Sequence, residues 1–224
     1  AIALVAVFGY RQVDLSAKVL VLLVALEFLI VIALNASILF SGGASGLNLE
    51  PFTWTQIMSG TPSIGFLFCF AGFIGFEATT IYSEEAKDAS VTVPKATYIS
   101  VLAIGIFYTI TSWLMTMGIG VENLLPTLQG LPDPSAFLFI LGETYLGATA
   151  SMIMGILFMT SIFAAVLAFH NAVARYKFVA GREGLLPDSV GTTHAQHLSP
   201  HIGSVIQPVL ALVVVTFFVA TGLD

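Results

Sequence analysis

Glu77 closes the run FLFCFAGFIGFE, a carboxylate at the end of an apolar stretch, residues 64–81, that glycine interrupts at Gly65, Gly72 and Gly75. An ionisable group in such surroundings is costly and therefore points to function. Two roles fit it: a carboxyl that takes up and releases a proton, or a carboxylate held by backbone N–H groups or by a cation at the inner surface. The glycines bear on the same question. Glycine lifts the steric bar to non-helical angles, and an unwound stretch frees N–H and C=O groups that hydrocarbon cannot satisfy. Such groups must line a cavity or touch a ligand, the amides suiting a carboxylate and the carbonyls an ammonium or metal cation. Short, glycine-interrupted apolar segments mark binding sites in membrane carriers. The alternative is that Gly72 and Gly75 only let helices pack closely.

Other polar residues are scattered more thinly. Glu27 lies inside the apolar stretch 17–40, either as a proton or cation site or as a hydrogen-bonding partner of neighbouring helices. Asn35, His170 and Asn171 read as bridges between helices. Arg182 and Glu183 form either an ion pair or a hydrated turn. His194, His197 and His201 give an HxxH spacing without the adjacent Glu that a zinc protease uses as base, so a solvated loop is expected there rather than a metal site. Neither GxSxG nor HExxH occurs, and no catalytic residue is assigned. Cys69 is the single cysteine, which excludes an internal disulfide and a multi-cysteine metal centre. No cofactor is expected.

The elements that hold these residues follow from composition. Of 224 residues, 57 % are hydrophobic and 9 % charged, against roughly 25 % charged in soluble domains, and the mean hydropathy is +0.98. A water-soluble globule is excluded, and the lipid bilayer is the expected surrounding. A net charge of −6 argues against a nucleic-acid partner. The chain opens without Met, inside an apolar run that lacks the basic start of a signal peptide, so a fragment of a longer membrane protein is expected.

A bilayer core of about 30 Å needs roughly 20 apolar residues in a helix. Stretches 17–40, 64–81, 96–117, 146–173 and 202–223 meet or approach this, and residues 1–8 would end a preceding span. The basic residues test the arrangement, since inner loops collect Lys and Arg. Arg11 and Lys18 precede the first span, Lys87 and Lys95 lie between the second and third, and Arg175, Lys177 and Arg182 lie between the fourth and fifth, all on one side, while loops 41–63 and 118–145 contain none. Loops 9–16, 82–95 and 174–201 are thus expected inside the cell, 41–63 and 118–145 outside, in a multi-pass plasma-membrane protein. Trp54 and Trp113 then lie near the outer surface, as interfacial or as packing residues. Pro208 falls inside the last span, where a kink is expected.

The run GFIGFEATTIYSEEAKDASVTVPKAT resembles the sixth-helix region and inner loop of the amino acid-polyamine-organocation permeases: Gly75, Phe76, Glu77, Glu84, Glu85, Pro94, Lys95 and Ala96 match. Ala89 and Val91 depart from the proline and basic residue of that pattern. A second run, HNAVARYKFVAGREGLLPDSVGTTHAQHLSP, is similar to the family's R-x-x-F-A-x-G-R-E-G-x-L-P loop through Arg175, Gly181, Arg182, Glu183, Gly184, Leu186 and Pro187. The resemblance covers the chain as helices five to nine of about twelve, one permease domain in part.

The resemblance implies an all-α integral membrane fold: part of a five-plus-five inverted repeat of the leucine-transporter kind, with five transmembrane helices here and the second one broken. It implies that Phe70, Ala71, Gly72, Phe73, Ile74 and Gly75 line half of a substrate site, and that loop 118–145 is an outer cap. Thr160 and Ser161 resemble hydroxyls that hold sodium in distant relatives; adjacent hydroxyls on an apolar helix also bond the carbonyl four residues back. The expected activity is secondary active transport of an amino acid or related amine, coupled to a proton or sodium through Glu77, Glu27, Thr160 or Ser161. The alternatives are a membrane assembly subunit or a membrane-embedded enzyme.

Overall fold

The computed structural model describes residues 5–7, 14–81, 83, 86–193 and 200–222. Arg11, Glu84, Glu85, His194 and His197, with most of the expected tail 1–8, lie outside the described residues. Among those described, the longer regular elements are α-helices: α1 (Asp14–Ser41), α2 (Trp54–Ile57), α3 (Pro62–Gly72), α4 (Ala78–Ile81), α5 (Ala89–Ile119), α6 (Val121–Gly130), α7 (Ala136–Leu146), α8 (Ala148–Arg182) and α9 (His201–Thr221). Short 3-10 turns add Glu50–Phe52 and Asp188–Gly191. Helices long and apolar enough to cross a membrane are Val21–Ser41 within α1, α5, α8 and α9.

The second span is broken, as the resemblance implies: it divides into α3 and α4 around a turn at residues 73–77. The boundaries of other spans also move. Helix α5 begins at Ala89 rather than 96, because the Asp88 carbonyl accepts from the Thr92 amide at 2.9 Å and the ladder then runs past Pro94, which forfeits one bond. Helix α8 continues to Arg182 rather than 173. Hydropathy measures how much of a helix matches lipid, whereas the backbone ladder ends only where its hydrogen bonds do.

Part of loop 118–145 is likewise helical, as α6 and α7. Pro126 sits inside α6 rather than ending it. Helix α7, 11 residues long, is too short for a transmembrane window.

The chain forms two compact units, Ala25–Phe158 and Ala1–Val24 with Met159–Asp224. In the first, Leu34, Ile38, Leu114, Leu141 and Met154 form the buried core. Polar ties surround it. The Tyr145 hydroxyl donates to the Gly118 carbonyl at 2.7 Å, Ser37 Oγ donates to the Tyr145 carbonyl at 2.8 Å, and Trp113 Nε1 donates to the Asn48 carbonyl at 2.8 Å. Trp113 is therefore a packing residue, while Trp54 is exposed. Asp133 begins the approach to α7, and the Ser135 amide, 2.8 Å from its Oδ1, holds its carboxyl below the usual carboxylate range. That contribution is present above the ordinary carboxylate pKa and is lost as pH falls through the lowered one.

Asn35, only 8 % exposed, donates from Nδ2 to Thr111 Oγ1 at 2.8 Å, joining α1 to α5. Thr111→Val keeps the shape but strands this amide, so it is expected to destabilise by about 1–3 kcal/mol. Adding Asn35→Leu removes the stranded group and should recover part of the loss. Thermal unfolding of the two variants in detergent checks this; equal melting temperatures for wild type and Thr111→Val would refute it.

In the second unit, His170 Nε2 and Ser204 Oγ meet at 2.9 Å in buried surroundings, and Lys177 Nζ donates to Gln207 Oε1 at 2.7 Å, both between α8 and α9. His170 thus bridges helices as its position in the sequence suggests. The Arg182 guanidinium lies over the Phe178 ring, 5.7 Å from its centroid.

Candidate functional site

Helix α3 stops where its hydrogen bonds tighten. The Phe73 amide bonds the Phe70 carbonyl at 3.0 Å and the Ile74 amide bonds Ala71 at 3.2 Å, a three-residue step in place of the α-helical four. Gly75 then adopts φ +106, a left-handed conformation that a side chain would strain. Its amide leaves the ladder altogether. It donates instead to Glu77 Oε2 at 2.9 Å, a carboxylate reaching back across the turn. The chain resumes as α4, where the Glu77 carbonyl accepts from the Thr80 amide (2.9 Å) and hydroxyl (2.6 Å). The Thr79 and Thr97 hydroxyls, 2.6 Å apart, pin α4 to α5.

Of the two roles open to Glu77, the geometry exhibits the cap: the half-buried carboxylate satisfies an amide that the break releases. Both readings of Gly72 meet at one position. A Cβ there would come within 3.1 Å of the Tyr108 ring, so the bare backbone does allow α3 and α5 to approach closely at the edge of the break.

Beside the break lies a pocket of about 510 Å³ between the 3-10 turn Glu50–Phe52, α3 and α5. From α3 and its end come Phe68, Cys69, Gly72 and Phe73; Pro51 and Phe52 close one side. The opposite wall is a stripe on α5 made of Gly105, Tyr108, Thr109, Ser112, Trp113 and Thr116. Spacings of three and four place these residues on one helical face.

Among the residues expected from the sequence, only Gly72 and Phe73 line this pocket. Phe70, Ala71 and Ile74 are exposed, and Gly75 is half-buried in the turn. Glu27 is half-buried on α1, and its Oε1 is buried without a hydrogen-bond partner among the described residues. Thr160 and Ser161 belong to the other unit, half-buried on α8. No group of three His, Cys, Asp or Glu suited to a metal occurs among the described residues. The α5 stripe escapes a reading by hydropathy, which averages over the span; its signal is the recurrence of hydroxyl and aromatic residues every third or fourth position.

The sequence model of one family, described as amino acid permease, matches residues 1–224. Three curated relatives agree with it. The low-affinity putrescine importer PlaP of Escherichia coli (strain K12) is 24 % identical over 230 residues, 96 % of this chain and 48 % of its own length. The branched-chain amino acid permease BcaP of Bacillus subtilis (strain 168) is 27 % identical over 202 residues, 87 % of this chain and 40 % of its own. The Asc-type amino acid transporter 1 of Homo sapiens is 28 % identical over 145 residues, 62 % and 26 % respectively. The chain spans about half the length of the first of these relatives. No solved structure gives a significant match.

Proposed function

The chain belongs to the amino acid permease family, and from that premise we propose that it serves secondary active transport of amino acids or related amines across the plasma membrane. It is a membrane protein and not an enzyme. Cargo binds at the break between α3 and α4, and alternating access proceeds by movement of helices around that site. The observation that carries this reading is the Gly75 amide, withdrawn from the helix and met, among the described residues, by Glu77. Backbone polar groups released within an apolar segment are tolerated where they are buried in protein or line a cavity, and the pocket of about 510 Å³ adjoins this turn.

Coupling to a proton or cation gradient completes the proposal. Glu27 supports it, since its Oε1, buried without a donor among the described residues, is costly unless a proton or cation satisfies it during the cycle. Glu77, Thr160 and Ser161 remain further candidates, with Lys- and Arg-bearing loops facing the cytoplasm. A membrane assembly subunit is the less economical reading, because it has no use for a broken, carboxylate-capped helix.

Uptake into proteoliposomes by the full-length protein tests the proposal. Amino acids and short amines are scanned under imposed proton or sodium gradients. Accumulation of at least one substrate that collapses when the gradient is dissipated is the expected result; uptake of none, under either gradient, would overturn it.

A further inference from the structure

We infer that α9 is a jointed helix: its inner end, residues 201–207, is fastened to α8, and Pro208 is the hinge on which the outer arm, residues 209–221, swings toward and away from α8. This gives the transport reading above a moving part, one whose presence shows in helix geometry rather than in uptake and so is decided separately from it.

Three contacts fasten the inner end. His170 Nε2 and Ser204 Oγ meet at 2.9 Å, and Lys177 Nζ donates to Gln207 Oε1 at 2.7 Å. Between them the two backbones touch: a Cβ at Gly203 would lie 2.8 Å from the Ala174 carbonyl oxygen and 3.4 Å from Lys177 Cβ. A small residue is what permits so close an approach of two membrane helices. His170 and Ser204 are both buried, where a polar group that loses its partner is costly, so the pair resists parting. All three contacts precede Pro208.

Pro208 brings no amide to the helix. The Ser204 carbonyl, four residues earlier, therefore loses its ladder donor, and the proline ring crowds that same carbonyl. Helix α9 nonetheless continues from His201 to Thr221, so the proline weakens it at one point without ending it. Prolines are where helices bend by more than about 20°. The crowding tilts the arm away from the side that carries the ring. That side faces α8 across a cavity of about 230 Å³, with Val166, Phe169 and Val173 of α8 and Gln207, Pro208 and Ala211 of α9 on its walls. Packed interiors hold few voids larger than a water molecule. A space of this size beside the proline leaves the arm room to move, and a hinge needs only a few residues to absorb the change.

Dipolar EPR on the full-length protein in nanodiscs, with its native cysteines replaced, tests the hinge. One pair of nitroxides, at Tyr176→Cys and Val205→Cys, reports the fastened end. A second, at Met159→Cys and Val219→Cys, reports the arm; all four side chains are exposed. The arm from Pro208 to Val219 is about 16 Å long at about 1.5 Å per residue, so a bend of roughly 20° carries its tip by about 6 Å. The expected result is a single narrow distance for the inner pair and an outer distribution broader by about 6 Å. Pro208→Ala returns a donor to the Ser204 carbonyl and should narrow the outer distribution to the width of the inner one. Ala211→Leu fills the cavity and should remove the shorter outer distances while sparing the inner pair, which keeps the hinge testable if Pro208→Ala fails to fold. An outer pair as narrow as the inner pair before either substitution would overturn the inference. So would a folded Pro208→Ala protein whose outer distribution stays broad or, failing that variant, an Ala211→Leu protein that keeps the shorter distances. An inner pair as broad as the outer one would overturn it too, because residues 201–207 would then not be fastened to α8.

Discussion

Glu77→Ala is expected to reduce substrate uptake roughly 10- to 100-fold, the ratio that follows from losing a hydrogen bond to a charged group worth about 1.5–3 kcal/mol. The Gly75 amide has no other acceptor in the turn, so without the carboxylate the broken conformation loses its internal cap. Glu77→Gln separates capping from proton exchange. Its amide oxygen can still accept from Gly75, so binding should survive nearly intact. If Glu77 also exchanges a proton with the gradient, gradient-driven accumulation should fall much further than binding does. Equilibrium binding and proteoliposome uptake, measured across a pH series on both variants, check this. Gradient-driven uptake by Glu77→Gln with the wild-type pH dependence would confine Glu77 to capping.

Gly181→Ala should be the most destabilising single methyl in the second unit. A Cβ at this position would lie 2.5 Å from the Gly191 amide nitrogen, 2.9 Å from its Cα and 3.0 Å from the Val190 carbonyl carbon. All three are backbone atoms, so no side chain can swing aside. The 3-10 turn Asp188–Gly191 would have to lift from the end of α8, at a cost of about 3 kcal/mol or more, the upper part of the range for overpacking. A fall in melting temperature of roughly 6–12 °C is the corresponding expectation for a domain of this size. Gly130→Ala is the control, since a Cβ there meets nothing within 4 Å. Fluorescence-detected size-exclusion after heating compares the two; a Gly181→Ala protein as stable as the control would refute the packing argument.

This explains in physical terms why the G-R-E-G-x-L-P run resembles a family motif. Gly181 is not there for chemistry: it lets the loop following α8 fold back into van der Waals contact with the helix end. The run announces itself in the sequence, whereas its reason is invisible there, because Gly181 and Gly191 become neighbours only once the intervening turn has closed.

The candidate site divides in a similar way. The location of the break was legible because its causes are local: an apolar segment, glycines inside it, and a carboxylate two residues beyond Gly75. Hydropathy was a poor guide to helix length, since α5 and α8 continue through residues too polar for lipid but entirely compatible with backbone hydrogen bonding.

The amino-acid sequence alone determined that this is an all-helical membrane chain, and where one of its helices must fail, because burial of apolar side chains and the φ of glycine act within a few residues. Only the tertiary structure decided that Glu77 caps the Gly75 amide rather than facing a distant cation, and that Tyr108 and Trp113 of α5 wall the pocket beside Gly72 and Phe73. The cap spans only two residues and turns on the rotamer that Glu77 takes in the folded turn, whereas the pocket depends on which helix faces which, set by close packing between segments some thirty to forty residues apart, a relation that no local pattern encodes.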